Sequence, residues 1–224
     1  MKAAALLSGG KDSTLAAYLS SRRYDVEYGL VVVPSDPESM MFHVPNAPLG
    51  ELVAEAMGLK PVRVSSGEDD EGDIEVLSRV LSRLDVDALV SGAIASRYQK
   101  ERLDRLCEEL GIEHVHPLWG MDPFEELELL VEEGFEVIVT AVAAAGMDES
   151  WLGRRIDRRF IEDIRELHDR YRIHPAGEGG EYETLVLDGP CFESRLEIRE
   201  FEKEWDGVSG RLVIKDVRLV DKGR

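Results

Sequence analysis

Short apolar runs closed by turn residues alternate with amphipathic stretches along the first part of the chain. Ala3 to Leu7 is such a run and predicts a strand buried on both faces. Ser13 to Ser20 has helical composition, with Leu15, Ala16 and Leu19 on one face. Val26 to Val33 predicts a second strand, ending at Pro34-Ser35-Asp36-Pro37. Leu49 to Met57 predicts a helix with Leu52, Val53, Ala56 and Met57 inward, closed by Gly58. Pro61 to Val64 reads as a third strand, Gly67 to Gly72 as an acidic exposed loop, and Asp73 to Leu84 as a helix. Ala88 to Val90 is the next strand and empties into Ser91-Gly92-Ala93-Ile94-Ala95-Ser96. A helix through Leu110, a strand at Glu113 to Val115, a helix at Pro123 to Glu133 and a strand at Phe135 to Ala143 complete the series.

Strands alternating with helices imply a parallel sheet covered on both faces, an α/β/α sandwich of Rossmann-like type. The pattern changes after Ala144-Ala145-Gly146. An Arg-rich helix near Asp157 to Tyr171 precedes strands at Tyr182 to Leu187, Arg195 to Phe201 and Arg211 to Val220. Asp206-Gly207 and Ser209-Gly210 supply turns. The expected organisation is therefore a nucleotide-binding domain over residues 1–140 and a smaller α+β domain over 141–224. In an open parallel sheet, ligands bind at the carboxyl ends of the strands. The candidate site loops are Ser8 to Ser13, Pro34 to Asn46, Ser91 to Gln99 and His116 to Gly120, with the second domain expected to face them.

Composition narrows the class. Hydrophobic content of 43% and charged content of 33% are those of a soluble globular protein. No apolar run reaches the length of a membrane span and the N-terminus lacks signal-peptide character, so no membrane partner is expected. Cys107 and Cys191 form no Cys-x-x-Cys pair, and a reducing, cytoplasmic setting is the simplest expectation. The formal net charge of −19 argues against a nucleic-acid partner. Arg154, Arg155, Arg158 and Arg159 are a local basic group, expected along one helix face and offset by Glu162, Asp163 and Glu166.

The chemistry begins at Leu6-Leu7-Ser8-Gly9-Gly10-Lys11-Asp12-Ser13-Thr14. Gly9 and Gly10 let the backbone approach a ligand closely. The following helix start offers N–H groups and a positive dipole end to an anion. Ser8 and Ser13 add hydroxyls, Lys11 a cation, and Asp12 a carboxylate suited to Mg²⁺ shared with phosphate oxygens. The competing reading is a strand–helix turn that is merely glycine-rich. Neither Gly-x-x-x-x-Gly-Lys-Ser/Thr nor Gly-x-Gly-x-x-Gly is present. The segment resembles the PP-loop, Ser-Gly-Gly-x-Asp-Ser, of the N-type ATP pyrophosphatases, whose fold is HUP-like. That resemblance implies cleavage of ATP between its α and β phosphates with adenylation of a substrate oxygen.

A second concentration is Gly177-Glu178-Gly179-Gly180-Glu181-Tyr182-Glu183-Thr184. An extended Glu181 to Thr184 puts Glu181 and Glu183 on one face, Tyr182 and Thr184 on the other. Crowded carboxylates can serve as general acids or bases, or cage a cation; a solvated acidic turn is the alternative. The two segments together resemble the diphthine–ammonia ligase family over nearly the whole chain. Also alike are Met41-Phe42-His43-x-Pro45-Asn46, Glu55-Ala56-Met57-Gly58, Ser91-Gly92-Ala93-Ile94 with Tyr98-Gln99, and Pro117-Leu118-Trp119. Gly146-Met147-Asp148-Glu149-Ser150-Trp151-Leu152-Gly153 and Leu187-Asp188-x-Pro190 with Phe192 extend the likeness.

What the resemblance implies is amidation of the diphthine carboxylate on elongation factor 2 by ammonium, through an acyl-adenylate, releasing AMP and pyrophosphate. ATP would lie on Ser8, Gly9, Gly10, Lys11, Asp12, Ser13, His43, Gly92 and Ala93, with Mg²⁺ on Asp12. Lys11, Asp12, Glu178, Glu181 and Glu183 would carry the chemistry. Tyr98, Gln99, Trp119, Gly179, Gly180, Tyr182 and Thr184 would contact substrate. Tyr98, Trp119, Trp151 and Tyr182 are candidates to cage the trimethylammonium, with core packing as the other reading of each. No glutaminase signature is present, which points to free ammonium. His114, His116, His168 and His174 show no metal spacing and are left unassigned. Rival functions are a PP-loop enzyme adenylating another substrate, such as a tRNA base, and a non-catalytic nucleotide-binding module. The oligomeric state is not legible.

Overall fold

The computed structural model describes residues 1–33, 49–66 and 70–223, with the backbone alone at 70 and 71. The loop after the second strand, with His43 and the Met41 to Asn46 segment, lies outside the described residues. The chain divides into two compact units, Met1–Trp119 and Gly120–Arg224.

In the first unit β1 (Lys2–Leu6), β2 (Asp25–Val33), β3 (Lys60–Ser65), β4 (Ala88–Val90) and β5 (Glu113–Val115) form one sheet in the order β3-β2-β1-β4-β5. Every pair is parallel. The helices are α1 (Lys11–Ser21), α2 (Leu49–Ala56), α3 (Asp70–Leu81) and α4 (Arg97–Leu110). This is the expected doubly wound arrangement.

Alternation along the central strands assigns the faces. Ala4, Leu30 and Leu89 join Leu77 and Leu81 of α3 and Leu103, Leu106 and Cys107 of α4 in one buried cluster. Gly29, one residue before Leu30, turns to the opposite face, where a Cβ would stand 2.7 Å from Ala54 Cβ of α2. That contact explains why α2 buries Gly50 and Ala54 besides Val53 and Ala56. The acidic stretch predicted as loop over Gly67 to Gly72 is already helical from Asp70. Ser96 caps α4 by accepting the N–H of Gln99 at 3.4 Å, a local reason for the helix to start there.

In the second unit β6 (Glu136–Val142), β7 (Tyr182–Asp188), β8 (Ser194–Trp205) and β9 (Gly210–Asp221) form an antiparallel sheet in the order β7-β6-β9-β8. It also contains α5 (Pro123–Glu132), a short 3₁₀ turn at Glu149–Trp151 and α6 (Arg158–Tyr171). The expected boundary at residue 140 would put α5 and most of β6 in the first domain. An apolar run such as Val137 to Val142 does not disclose which sheet it joins, and here it pairs with β7 and β9.

Asp157 caps α6 at the N–H of Phe160, 2.8 Å away, so the helix begins after Arg154 and Arg155. The four arginines therefore do not share one helix face as expected. Arg154 pairs with Asp163 at 2.5 Å and Arg155 with Glu136 at 2.6 Å. Phe160, Ile161 and Ile164 are buried. Phe160 stacks edge-on with Trp151 and Tyr182, at 5.4 and 5.6 Å between centroids.

Candidate active site

The loop between β1 and α1 stands next to the place where strand order reverses, between β1 and β4, where open α/β sheets bind ligands. Gly9 has φ +87 and a Cβ there would lie 3.3 Å from Gly50 Cα. Gly50 in turn has no room for a Cβ, with Val31 Cγ1 at 2.9 Å and the Leu7 and Ser8 carbonyl oxygens at 3.1 and 3.2 Å. The packing of α2 on the loop is what requires glycine at this helical position.

The loop is closed by its own hydroxyls. Ser8 N–H donates to Ser13 Oγ at 3.2 Å and Gly10 N–H to Ser8 Oγ at 3.3 Å. The two hydroxyl oxygens are 3.0 Å apart, and Ser13 Oγ also donates to the Gly10 carbonyl at 3.2 Å. Gly10 is the N-cap of α1 and brings no side chain to its first turn. A loop of this make can receive phosphate oxygens on backbone N–H groups at a helix start.

Lys11 is buried and ion-paired with Asp12, whose side chain is 33% exposed. A buried ammonium needs such a partner, since an isolated buried charge is costly. Asp12 offers one accessible carboxylate beside the phosphate seat, the donor type Mg²⁺ combines with phosphate oxygens.

The loop after β4 reaches the same place. A Cβ on Gly92 would lie 2.7 Å from Ser13 N and 2.8 Å from the Asp12 carbonyl carbon, so Ser91-Gly92-Ala93 and the first turn of α1 touch main chain to main chain. Ser91 is almost fully buried, and its Oγ is 2.8 Å from His114 Nε2. His114 Nδ1 is 2.7 Å from Asp104 Oδ1, and Asp104 Oδ2 is 2.5 Å from Lys100 Nζ. Lys100 Nζ stands 5.6 Å from the Trp119 ring centroid.

Burial pushes the His114 imidazole below its usual range, against the hydrogen bond it makes to Asp104, which raises it. Burial pushes the Asp104 carboxyl up, but hydrogen bonds to Lys100 and His114 outweigh that and hold it low. Neutral His114 then donates from Nδ1 to ionised Asp104 and accepts the Ser91 hydroxyl proton at Nε2. Asp104, His114 and His116 place ligand atoms within 4.8 Å of one another, the group among the described residues able to hold a metal ion. Their spacing in sequence hid this, because α4 and β5 bring them together only in the fold. Imidazole donors suit transition metals rather than Mg²⁺, and Lys100 already compensates the carboxylate.

Tyr98 is 58% exposed, hydrogen-bonded to Arg102, whose guanidinium stands 4.8 Å from its ring. Gln99 lies in the first turn of α4. Trp119 is half-buried against Lys100 and His116.

The glutamate segment lies in the second unit. Both oxygens of Glu181 accept backbone N–H groups, from His174 at 2.7 Å and Gly179 at 2.8 Å. Tyr182 is buried and donates its hydroxyl to the Pro175 carbonyl at 2.6 Å. Glu178 and Glu183 are exposed, and Thr184 is half-buried. Gly177 and Gly180 have φ +75 and +80, and a Cβ on Gly177 would lie 2.8 Å from the Tyr182 carbonyl oxygen. Trp151 is also buried, in the aromatic stack with Phe160, with Arg154 4.4 Å from its ring. Asp148 caps its own turn at the N–H of Ser150, 2.9 Å away.

Residues 1–114 match the family model described as the diphthamide synthase N-terminal domain, and residues 122–220 match the diphthamide synthase C-terminal domain. A Schizosaccharomyces pombe protein named diphthine–ammonia ligase is 31% identical over 223 residues, covering 90% of this chain and 37% of that protein. Proteins of the same name from Bos taurus and Homo sapiens are 30% and 29% identical over 224 residues, covering 88% of this chain and 82% of each. The chain thus spans little over a third of the fission yeast relative and most of the mammalian ones. A solved structure titled as a "predicted subunit of tRNA methyltransferase" from Methanocaldococcus jannaschii aligns at TM-score 0.48 and 18% identity, covering 85% of this chain and 98% of that one.

Proposed function

The chain belongs to the diphthamide synthase family, and from that premise we propose that it is a diphthine–ammonia ligase acting on elongation factor 2. The observation that carries the reading is the contact of Gly92 with the first turn of α1. It brings the loops after β1 and β4 together around a glycine-lined helix start, in a chain matched by the family models over both units. Relatives named for the same reaction support it at about 30% identity across most of this chain.

On this reading the ATP phosphates sit over Ser8, Gly9, Gly10 and Ser13, taking the Ser8 and Gly10 N–H groups now held by hydroxyls. A diphthine carboxylate oxygen attacks the α phosphorus, the bond to the β-phosphate bridging oxygen breaks, and pyrophosphate leaves. The helix start and Lys11 stabilise the charge that develops on it. Mg²⁺, held by Asp12, would neutralise phosphate charge there. Ammonia then attacks the acyl-adenylate carbonyl and AMP departs. Only neutral ammonia is nucleophilic, so the proton of ammonium must go to a base, and on this reading Glu178 and Glu183, both exposed, supply that base. Tyr98 and Trp119 are the aromatics with open surface for the trimethylammonium, whereas Tyr182 and Trp151 serve packing. Both cysteines are free thiols, burial pushing each up to about 12, in keeping with a reducing compartment. No helix among the described residues is long and apolar enough to cross a membrane.

The test is to combine the protein with ATP, ammonium and diphthine-bearing elongation factor 2. AMP and pyrophosphate formation that needs both ammonium and the modified factor supports the reading. ATP hydrolysis indifferent to both would favour another adenylation substrate, and intact ATP would favour a binding module.

A further inference from the structure

We propose that Glu181 is a positioning residue: its carboxylate clamps the turn that presents Glu178 and Glu183, and it takes no proton in the reaction. The bonds are specific. One oxygen accepts the His174 N–H at 2.7 Å and the other the Gly179 N–H at 2.8 Å, so the side chain ties the entry of the segment to its middle. Its own carbonyl accepts the Ala143 N–H at 2.9 Å, just past β6.

Further bonds of the segment close on the same frame. Gly177 N–H donates to the His174 carbonyl and Gly180 N–H to the Gly177 carbonyl, each at 3.0 Å. Tyr182 Oη donates to the Pro175 carbonyl at 2.6 Å. The Glu178 backbone N–H is 3.4 Å from His174 Nδ1, and Glu183 follows as an exposed residue of β7 in register with Ala141. Both oxygens of the Glu181 carboxylate are given to main-chain donors. Protonating it would place a hydroxyl against one of those donors and loosen the turn, which is the wrong behaviour for a base that must cycle.

Glycine at 179 fits this use. A Cβ there would lie 2.9 Å from Glu181 Oε1 and 3.0 Å from Oε2, so alanine would push the carboxylate off its donors while leaving its charge in the chain. Two variants therefore separate the clamp from the charge. Glu181→Gln keeps the length but turns an NH₂ toward one of the two N–H donors. Gly179→Ala keeps the carboxylate but displaces it.

The test is amide hydrogen exchange at His174 and Gly179, with the pH profile of kcat in the ligase assay. Both variants should speed exchange at these amides by about ten- to a hundredfold, the loss of a hydrogen bond to a charged group. Both should lower kcat by about tenfold while leaving the acidic limb of the profile where it is. Unchanged exchange in Glu181→Gln, or exchange that speeds up together with loss of the acidic limb, overturns the proposal. The kinetic arm rests on the ligase reading and the exchange arm does not. If that reading fails, exchange in the two variants alone decides.

Discussion

Gly92 and Ser13 meet main chain to main chain, with 2.7 Å between the Ser13 nitrogen and the place a Cβ would occupy on Gly92. The loop after β4 therefore packs directly on the first turn of α1, with no room for a side chain between them. In a parallel sheet that reverses order between β1 and β4, this is where a nucleotide would be gripped from two strands at once.

Gly92→Ala should act through that contact. The obstructing atoms are backbone, so they cannot rotate aside, and overpacking of this kind costs about 1–3 kcal/mol. ATP affinity, measured by calorimetry, should fall about tenfold or more. Unaltered affinity would place the nucleotide elsewhere.

Asp12→Asn separates charge from shape. It keeps a side-chain oxygen beside Lys11 but removes the anion for Mg²⁺, so kcat should fall by about 100-fold or more. ATP binding measured without Mg²⁺ should change far less. A variant with full activity would remove Asp12 from the site.

The Ser91–His114–Asp104 chain has a pH signature. His114 is held below its usual value by burial, so the unfolded chain takes up its proton at a higher pH than the folded one. The neutral, buried form contributes stability in full above the unfolded value of about 6.5. That contribution is lost as pH falls from there through the folded value. His114→Gln should weaken the dependence of thermal stability on pH between neutrality and mild acid, measured against the parent chain. Nitrogen-resolved NMR should show Nδ1–H on neutral His114. An Nε2–H tautomer would reverse the assigned donor directions at Ser91 and Asp104.

How much of this was legible in the sequence depended on distance along the chain. The phosphate loop could be read because strand, glycines and helix start are contiguous, and the five parallel strands follow from runs with clear turn residues. The Asp104–His114 pair could not, since a helix and a turn intervene and nothing local marks it. Tyr182 and Thr184 were both assigned to substrate, but burial of Tyr182 depends on Phe160, supplied by α6. Composition does not disclose that both Glu181 oxygens accept main-chain N–H groups, because that depends on where His174 and Gly179 fall in the fold. The sheet that β6 joins is decided by its neighbours, not by its own apolar residues.

Glu183→Gln should leave ATP binding nearly intact and slow amide formation by about 100-fold or more, the scale of general-base assistance. Loss of ATP affinity in this variant would mean that the two motifs do not divide the reaction as proposed.

The most direct measurement uses isotopically labelled ammonium with ATP and diphthine-bearing elongation factor 2, followed by mass spectrometry of the diphthine-bearing peptide. The peptide should gain the labelled nitrogen, with the mass change of replacing a carboxyl hydroxyl by an amino group, and one AMP should form for each nitrogen incorporated. ATP consumed to AMP with no label in the peptide would contradict it.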